Sequence, residues 1–248
     1  MPRFFIARPP QAERQPFSAG ASVELPEEVV RHLHVLRLQA GDSVTLFDGT
    51  GGEYPAALGE IGKRHATATL GPHEPREAET PYAITLAQGI AGGDKMDWLL
   101  EKAIELGVQR VVPLATARSV VRLSGERAQR RTEHWRALAR AACEQCGRNR
   151  VPDIDAPTDF NRWIDSSDAP LRLMLSPRGT GGLESLPTAA PAGPVEILIG
   201  PEGGLAPDEE TAALAAGYLP VSLGSRVLRT ETASLAMLAV LATRWSGW

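Results

Sequence analysis

Val195-Glu196-Ile197-Leu198-Ile199-Gly200-Pro201-Glu202-Gly203-Gly204 decides the fold class, because a short buried-type strand here delivers a glycine-rich loop just ahead of a helix. Ligands of open α/β sheets bind at such strand ends. The glycines let a ligand approach the backbone closely, yet the loop matches neither the dinucleotide fingerprint nor the Walker pattern. Glu202 would set a carboxylate in the middle of a phosphate cradle, and no lysine follows to offset it. A cofactor with no phosphate and a cationic centre suits the loop better. The plainer alternative is a simple tight turn.

Outward from this stretch, apolar runs alternate with helical patterns. Ile84–Ile90, Arg110–Ala115, Leu171–Leu175, Val195–Ile199 and Pro220–Leu223 are the expected strands. Lys95–Leu106, Glu126–Cys146, Pro207–Ala216 and Thr230–Arg244 are the expected helices, and this alternation marks a parallel α/β sheet. A second strand end, glycine loop and helix start lies in Leu223-Gly224-Ser225-Arg226-Val227-Leu228-Arg229-Thr230-Glu231-Thr232-Ala233, with Thr230 a plausible N-cap. It presents Arg229 and Glu231 as a charged pair beside a helix that is apolar nearly all round, so that helix needs burial on more than one side, in the core or at a subunit interface.

Residues 1–75 read differently, as short extended pieces (Phe4–Ala7, Ser22–Leu25, Ser43–Phe47, Glu53–Leu58, His65–Leu70) interrupted by one helix over Pro26–Leu38. A small β-barrel is the expectation. The polar, proline-bearing stretch Pro72–Pro81 places the boundary between domains 1–75 and 76–248.

The chain's 248 residues can bury a substantial core, and 43% hydrophobic with 23% charged residues excludes a disordered or fibrous chain. Net charge is −4, but from Arg110 to Arg150 ten arginines face three glutamates, a site for an anionic partner unless it is merely a solvated helix face. Cys143 and Cys146 lack the second ligand pair that zinc needs and fall inside an expected helix, so neither metal nor redox chemistry is expected. Two free thiols fit a reducing compartment. The N-terminal apolar run Phe4–Ala7 is too short for a signal peptide, and Ala233–Ala242 is about half a membrane span. A cytoplasmic protein without membrane partners is expected.

The chain resembles the RsmE family of small-subunit ribosomal RNA uridine-N3 methyltransferases, members of the knotted SPOUT superfamily. The resemblance rests on His34-Val35-Leu36-Arg37, Phe47-Asp48-Gly49, Gly93-Asp94-Lys95-Met96-Asp97-Trp98 with Glu105-Leu106-Gly107-Val108, Ala142 through Arg150, Leu198 through Gly204, and Leu223 through Ala233. It implies an N-terminal PUA-like β-barrel, a SPOUT α/β domain with a deep trefoil knot, and a homodimer in which the last helix takes part and the partner completes the site. It implies S-adenosylmethionine held by Leu175, Ile199, Gly200, Pro201, Glu202, Gly203, Leu223, Gly224, Val227, Leu228, Thr230, Thr232 and Ala233. Arg229 and Glu231 would be catalytic, the first stabilising charge on the base and the second orienting it or relaying the proton. The substrate would be 16S ribosomal RNA within the small ribosomal subunit, not DNA, gripped by Arg31, Arg37, Arg118, Arg122, Arg148 and Arg150. One departure is Ser176-Pro177, where some members of the family carry His-Pro. The rivals are a ribose 2′-O-methyltransferase, a non-catalytic ribosome-binding factor and, weakest, a dinucleotide-dependent enzyme.

Overall fold

The computed structural model describes residues 1–7, 17–179 and 181–248. They form two compact units, one of residues 1–78 with 143–151, the other of 79–142 with 152–248.

In the first unit, strands β1 (Arg3–Phe5), β2 (Ser22–Glu24), β3 (Ser43–Phe47), β4 (Tyr54–Ile61) and β5 (Ala66–Leu70) form one sheet in the order β1-β3-β4-β5-β2. Apart from the parallel β1–β3 pair, its ladders are antiparallel. Helix α1 (Glu27–Val35) buries Val29, Val30 and Leu33 against Phe4, Val44, Leu46 and Leu58, the apolar positions that helical and strand periods predict. A contiguous domain of residues 1–75 needs correction, because residues 143–151 belong to this unit as well. Linear reading misses them because their first four residues, 143–146, are the end of an amphipathic helix, Gly125–Cys146, that reads as one piece.

Asn149, wholly buried, shows what those residues do. Its amide donates to Glu53 Oε2 at 3.1 Å and to the Arg76 carbonyl at 2.6 Å, and its Oδ1 accepts from Arg3 at 2.5 Å. Glu53 also accepts from Arg3 at 2.6 Å and from two nitrogens of Arg76 at 2.9 and 2.8 Å. The Arg76 hydrogen bonds lower the Glu53 carboxyl most, burial opposes them, and Arg3 and Asn149 reinforce them, leaving its pKa at about 2.

The second unit holds a parallel seven-stranded sheet, β6 (Ile84–Gly89), β7 (Arg110–Ala115), β8 (Asp153–Ile154), β9 (Thr158–Asp159), β10 (Leu171–Leu175), β11 (Val195–Ile199) and β12 (Leu219–Val221). The order is β12-β10-β11-β6-β7-β8, with β9 also on β7. All five residues of β11 are buried, as a strand covered on both faces must be. Helices α2 (Lys95–Glu105), α3 (Gly125–Cys146), α4 (Phe160–Ile164), α5 (Pro207–Ala215) and α6 (Thr230–Arg244) complete the fold. Sequence periodicity misses β8, β9 and α4, because pieces of two to five residues are too short to show a period. Helix α6 packs on α2 and β11, burying Met237, Leu238 and Leu241 while Leu235, Ala236, Ala239 and Val240 stay half-buried. None of the helices among the described residues is long and apolar enough to cross a membrane.

Candidate functional site

At the carboxyl ends of β10, β11 and β12 lies a cavity of about 560 Å³, within the size range of small-ligand sites. Its wall is made by three segments, Leu175–Arg178 after β10, Ile199–Leu205 after β11, and Val221–Gly224 with Arg226–Thr230 after β12, together with Ala233 from α6, Glu210 from α5, Lys95 from α2 and Arg118. Gly200 turns the chain where no side chain fits, since a Cβ there would stand 2.6 Å from Gly204 C and Leu205 N. Gly204 completes the turn at a φ of +68°, in the left-handed region.

A buried polar network ties the glycine loop to the start of α6. The Thr230 hydroxyl donates to the Gly200 carbonyl at 2.6 Å and accepts from Gln88 Nε2 at 2.9 Å. Gln88 also donates to the Gly89 carbonyl at 2.8 Å and accepts from the Ser234 hydroxyl at 2.7 Å. Gln88 and Ser234 are fully buried. This network corrects the N-cap assignment, because Arg229 occupies the cap position and the Thr230 hydroxyl is committed to Gly200. Thr230→Val, nearly isosteric, removes the close donor to the Gly200 carbonyl and the close acceptor of one Gln88 N–H, leaving only the long 3.5 Å contact between Gln88 Nε2 and that carbonyl. It should cost about 1–3 kcal/mol in denaturant unfolding; an unchanged midpoint would show that the network does not hold the two loops.

Lys95 overturns another expectation. Its ammonium donates to Glu202 Oε1 at 2.8 Å, and the Gly92 amide donates to the same oxygen at 3.1 Å. A lysine does offset Glu202, reaching it from 107 residues earlier in the chain. Partial burial raises the Glu202 pKa, but Lys95, the residue's own amide and that of Gly92 together hold it below the ordinary carboxylate range. On the opposite wall Arg178 grips Glu210 through one nitrogen, 3.1 Å from each carboxylate oxygen. Ser176 is buried on this wall and its hydroxyl accepts from the Arg178 amide at 3.2 Å.

Leu175, Ile199, Gly200, Pro201, Glu202, Gly203, Leu223, Gly224, Val227, Leu228, Arg229, Thr230 and Ala233 all line this cavity. Thr232 and Glu231 do not, because helical rotation turns both away. Nor do Arg229 and Glu231 form an ion pair among the described residues: Arg229 is exposed at the cavity, while Glu231 buries one carboxylate oxygen that finds no hydrogen-bond donor. Sequence reasoning leaves out Arg178 and Glu210 on the cavity wall and the buried Gln88 behind it, and quotes Lys95 and Arg226 without a role. The Gly-Asp-Lys motif signals Lys95 and the second glycine loop carries Arg226, whereas sheet order brings Arg178, Glu210 and Gln88 to this end of the sheet.

The arginines divide. Arg31 and Arg37 are exposed on and just after α1, Arg37 with a φ of +56°. Arg122 is exposed and donates to the Ala117 carbonyl at 3.3 Å, and Arg150 meets Glu77 at 3.2 Å. Arg118 donates to the carbonyls of Gly203 at 2.9 Å and Leu205 at 3.1 Å, so it braces the glycine loop. Arg148 is only 2% exposed, and this burial removes its side chain from any phosphate in this conformation. The arginine excess is further reduced where Arg110 pairs with Asp155 and Arg131 with Asp97.

Comparison with known proteins gives the family. Residues 78–242 match the family model of the RNA methyltransferase domain, and residues 25–71 that of the RNA methyltransferase PUA domain. A crystal structure of a ribosomal RNA small subunit methyltransferase E from Neisseria gonorrhoeae, bound to S-adenosyl methionine, is 37% identical with a TM-score of 0.90, covering 99% of this chain and 98% of its own. A methyltransferase structure from Legionella pneumophila, in complex with the bound cofactor SAM, is 33% identical with a TM-score of 0.90, over 97% and 96% of the two chains. The ribosomal RNA small subunit methyltransferase E of Synechocystis is 33% identical over 88% of this chain and 72% of its own. With a matching domain model and matching relatives over nearly its whole length, this chain belongs to the ribosomal RNA small subunit methyltransferase E family.

Proposed function

We propose that the protein methylates N3 of a uridine in 16S ribosomal RNA, using S-adenosylmethionine, during maturation of the small ribosomal subunit in the cytoplasm. The observation that carries this reading is the cavity walled by Ile199–Leu205 and Val221–Gly224 with Arg226–Thr230 in a chain whose Neisseria relative holds S-adenosyl methionine. The cavity fits such a cofactor. Leu175, Ile199, Val221, Leu223 and Leu228 offer apolar surface to an adenosine, and Gly224, where a Cβ would meet nothing within 4 Å, leaves its backbone open to close approach.

Bound S-adenosylmethionine supplies a methyl group activated by its sulfonium. The protein must hold the base in line with that methyl and favour loss of the N3 proton, because neutral N3 is a poor nucleophile. Arg229, exposed at the cavity, is placed to stabilise the negative charge that spreads onto the base carbonyl oxygens. The solvent-facing arginines Arg31, Arg37, Arg122 and Arg150 would grip phosphates, and this part of binding weakens steeply with salt.

A homodimer belongs to the same proposal. Leu235, Ala236, Ala239 and Val240 form a half-buried strip on α6 that a second copy would cover, and Glu231 would find a donor there for its buried oxygen. The barrel and the deep trefoil knot belong to it too. The knot is supported where the segment after β10 holds the C-terminal part of the chain, the Gly181 carbonyl accepting from Ser222 at 2.7 Å and the Leu186 carbonyl accepting from Arg244 at 2.7 Å.

Purified protein, labelled S-adenosylmethionine and unmodified small subunits should give 3-methyluridine in nucleoside mass spectrometry of the RNA. A ribose methyl would move the reaction to the 2′-oxygen. Cofactor binding without methyl uptake would leave a ribosome-binding factor.

A further inference from the structure

Two ion pairs line the cavity, and they differ in how much of each is already spent. Arg178 faces both oxygens of Glu210, so the carboxylate is closed. Lys95 and Gly92 meet Oε1 of Glu202, and apart from the residue's own amide nothing else among the described residues donates to this carboxylate, while the ammonium keeps two further hydrogens to donate. Both side chains keep solvent exposure, 41% for Lys95 and 32% for Glu202. An anion and a cation, each with unused capacity and locked side by side on a cavity wall, match a ligand that carries the opposite pair on one carbon. An α-amino acid head is such a group. A phosphate is not, because it brings no ammonium to meet Glu202.

We infer that Lys95 and Glu202 bind the aminocarboxylate head of the cofactor, Glu202 Oε2 accepting from its α-ammonium and Lys95 Nζ donating to its α-carboxylate. The assignment rests on the proposed use of S-adenosylmethionine, and it gives a role to the lysine of the Gly93-Asp94-Lys95 motif. It also orients the cofactor, with the head at the Lys95 wall and the adenosine toward the leucines of the other loops.

Binding of two probes tests it without turnover. S-adenosylhomocysteine has the head, and 5′-methylthioadenosine keeps the thioether and adenosine without it. In calorimetry the wild-type protein should prefer S-adenosylhomocysteine by about tenfold or more, the size expected for charge-assisted hydrogen bonds in a partly exposed site. Lys95→Met and Glu202→Gln should each cut that preference to about threefold or less while leaving methylthioadenosine affinity nearly unchanged. Parallel loss of both ligands would overturn the inference, since the pair would then only shape the glycine loop. An undiminished preference in both variants would overturn it as well. Wild-type protein that binds neither probe would overturn the cofactor reading, and the inference with it.

Discussion

Arg229→Ala should lower methyl transfer about 10²–10³-fold at saturating substrate while changing S-adenosylmethionine affinity by less than about threefold. The asymmetry follows from its position. Arg229 holds the cap position of α6 by backbone conformation alone, with no side-chain cap bond, and it makes no ion pair among the described residues. Its guanidinium is therefore not needed to build the cofactor cavity and is available to a developing charge. Arg229→Lys keeps the charge but loses the planar fork, and should recover only part of the rate. The residual rate of Arg229→Ala should also keep rising with pH after the wild-type rate has levelled, because deprotonation of the base then falls to solvent. Unchanged turnover, or a loss of cofactor binding equal to the loss of rate, would remove Arg229 from the chemistry.

Glu53→Ala should destabilise the first unit by about 3 kcal/mol, a large share of a small unit's stability. Glu53 is 8% exposed and accepts from Arg3, Arg76 and Asn149. Removing it takes one of two acceptors from the Arg3 guanidinium and from the Asn149 amide in a buried place, and leaves the Arg3 charge without its counter-ion, while the more exposed Arg76 can turn to water. The same carboxylate sets an acid limit. Its folded pKa of about 2 lies below the ordinary 4.5, so its contribution is full above about 4.5 and disappears as pH falls through about 2. Denaturant midpoints measured between pH 5 and pH 2 should fall in the wild type and fall less in Glu53→Ala. Parallel curves would show that Glu53 does not carry the acid dependence.

Much of this was open to a reader of the chain. The strands β6, β7, β10 and β11 announce themselves as apolar runs, and the two glycine loops after β11 and β12 do meet at one cavity. Glu231 and Thr232 show where motif reading stops, because a motif is linear and a helix turns its successive residues in different directions. The Lys95–Glu202 pair and the Gln88–Thr230 bond were illegible for another reason. They join residues separated by 107 and 142 positions, and only the strand order β10-β11-β6 brings them together. Arg148 follows the same logic: local charge predicts a surface, while burial is decided by what folds over it.

The nine residues 143–151 that complete the first unit bear on how the chain is made. A ribosome releases residues 1–78 well before Asn149 exists, so the early sheet emerges with Glu53 and Arg3 facing an empty position. At about 5–20 residues per second, the roughly seventy residues between them take some 4–15 s to appear. For that interval the nascent sheet is without its last stabilising clasp, and its closure is timed by translation of a distant segment.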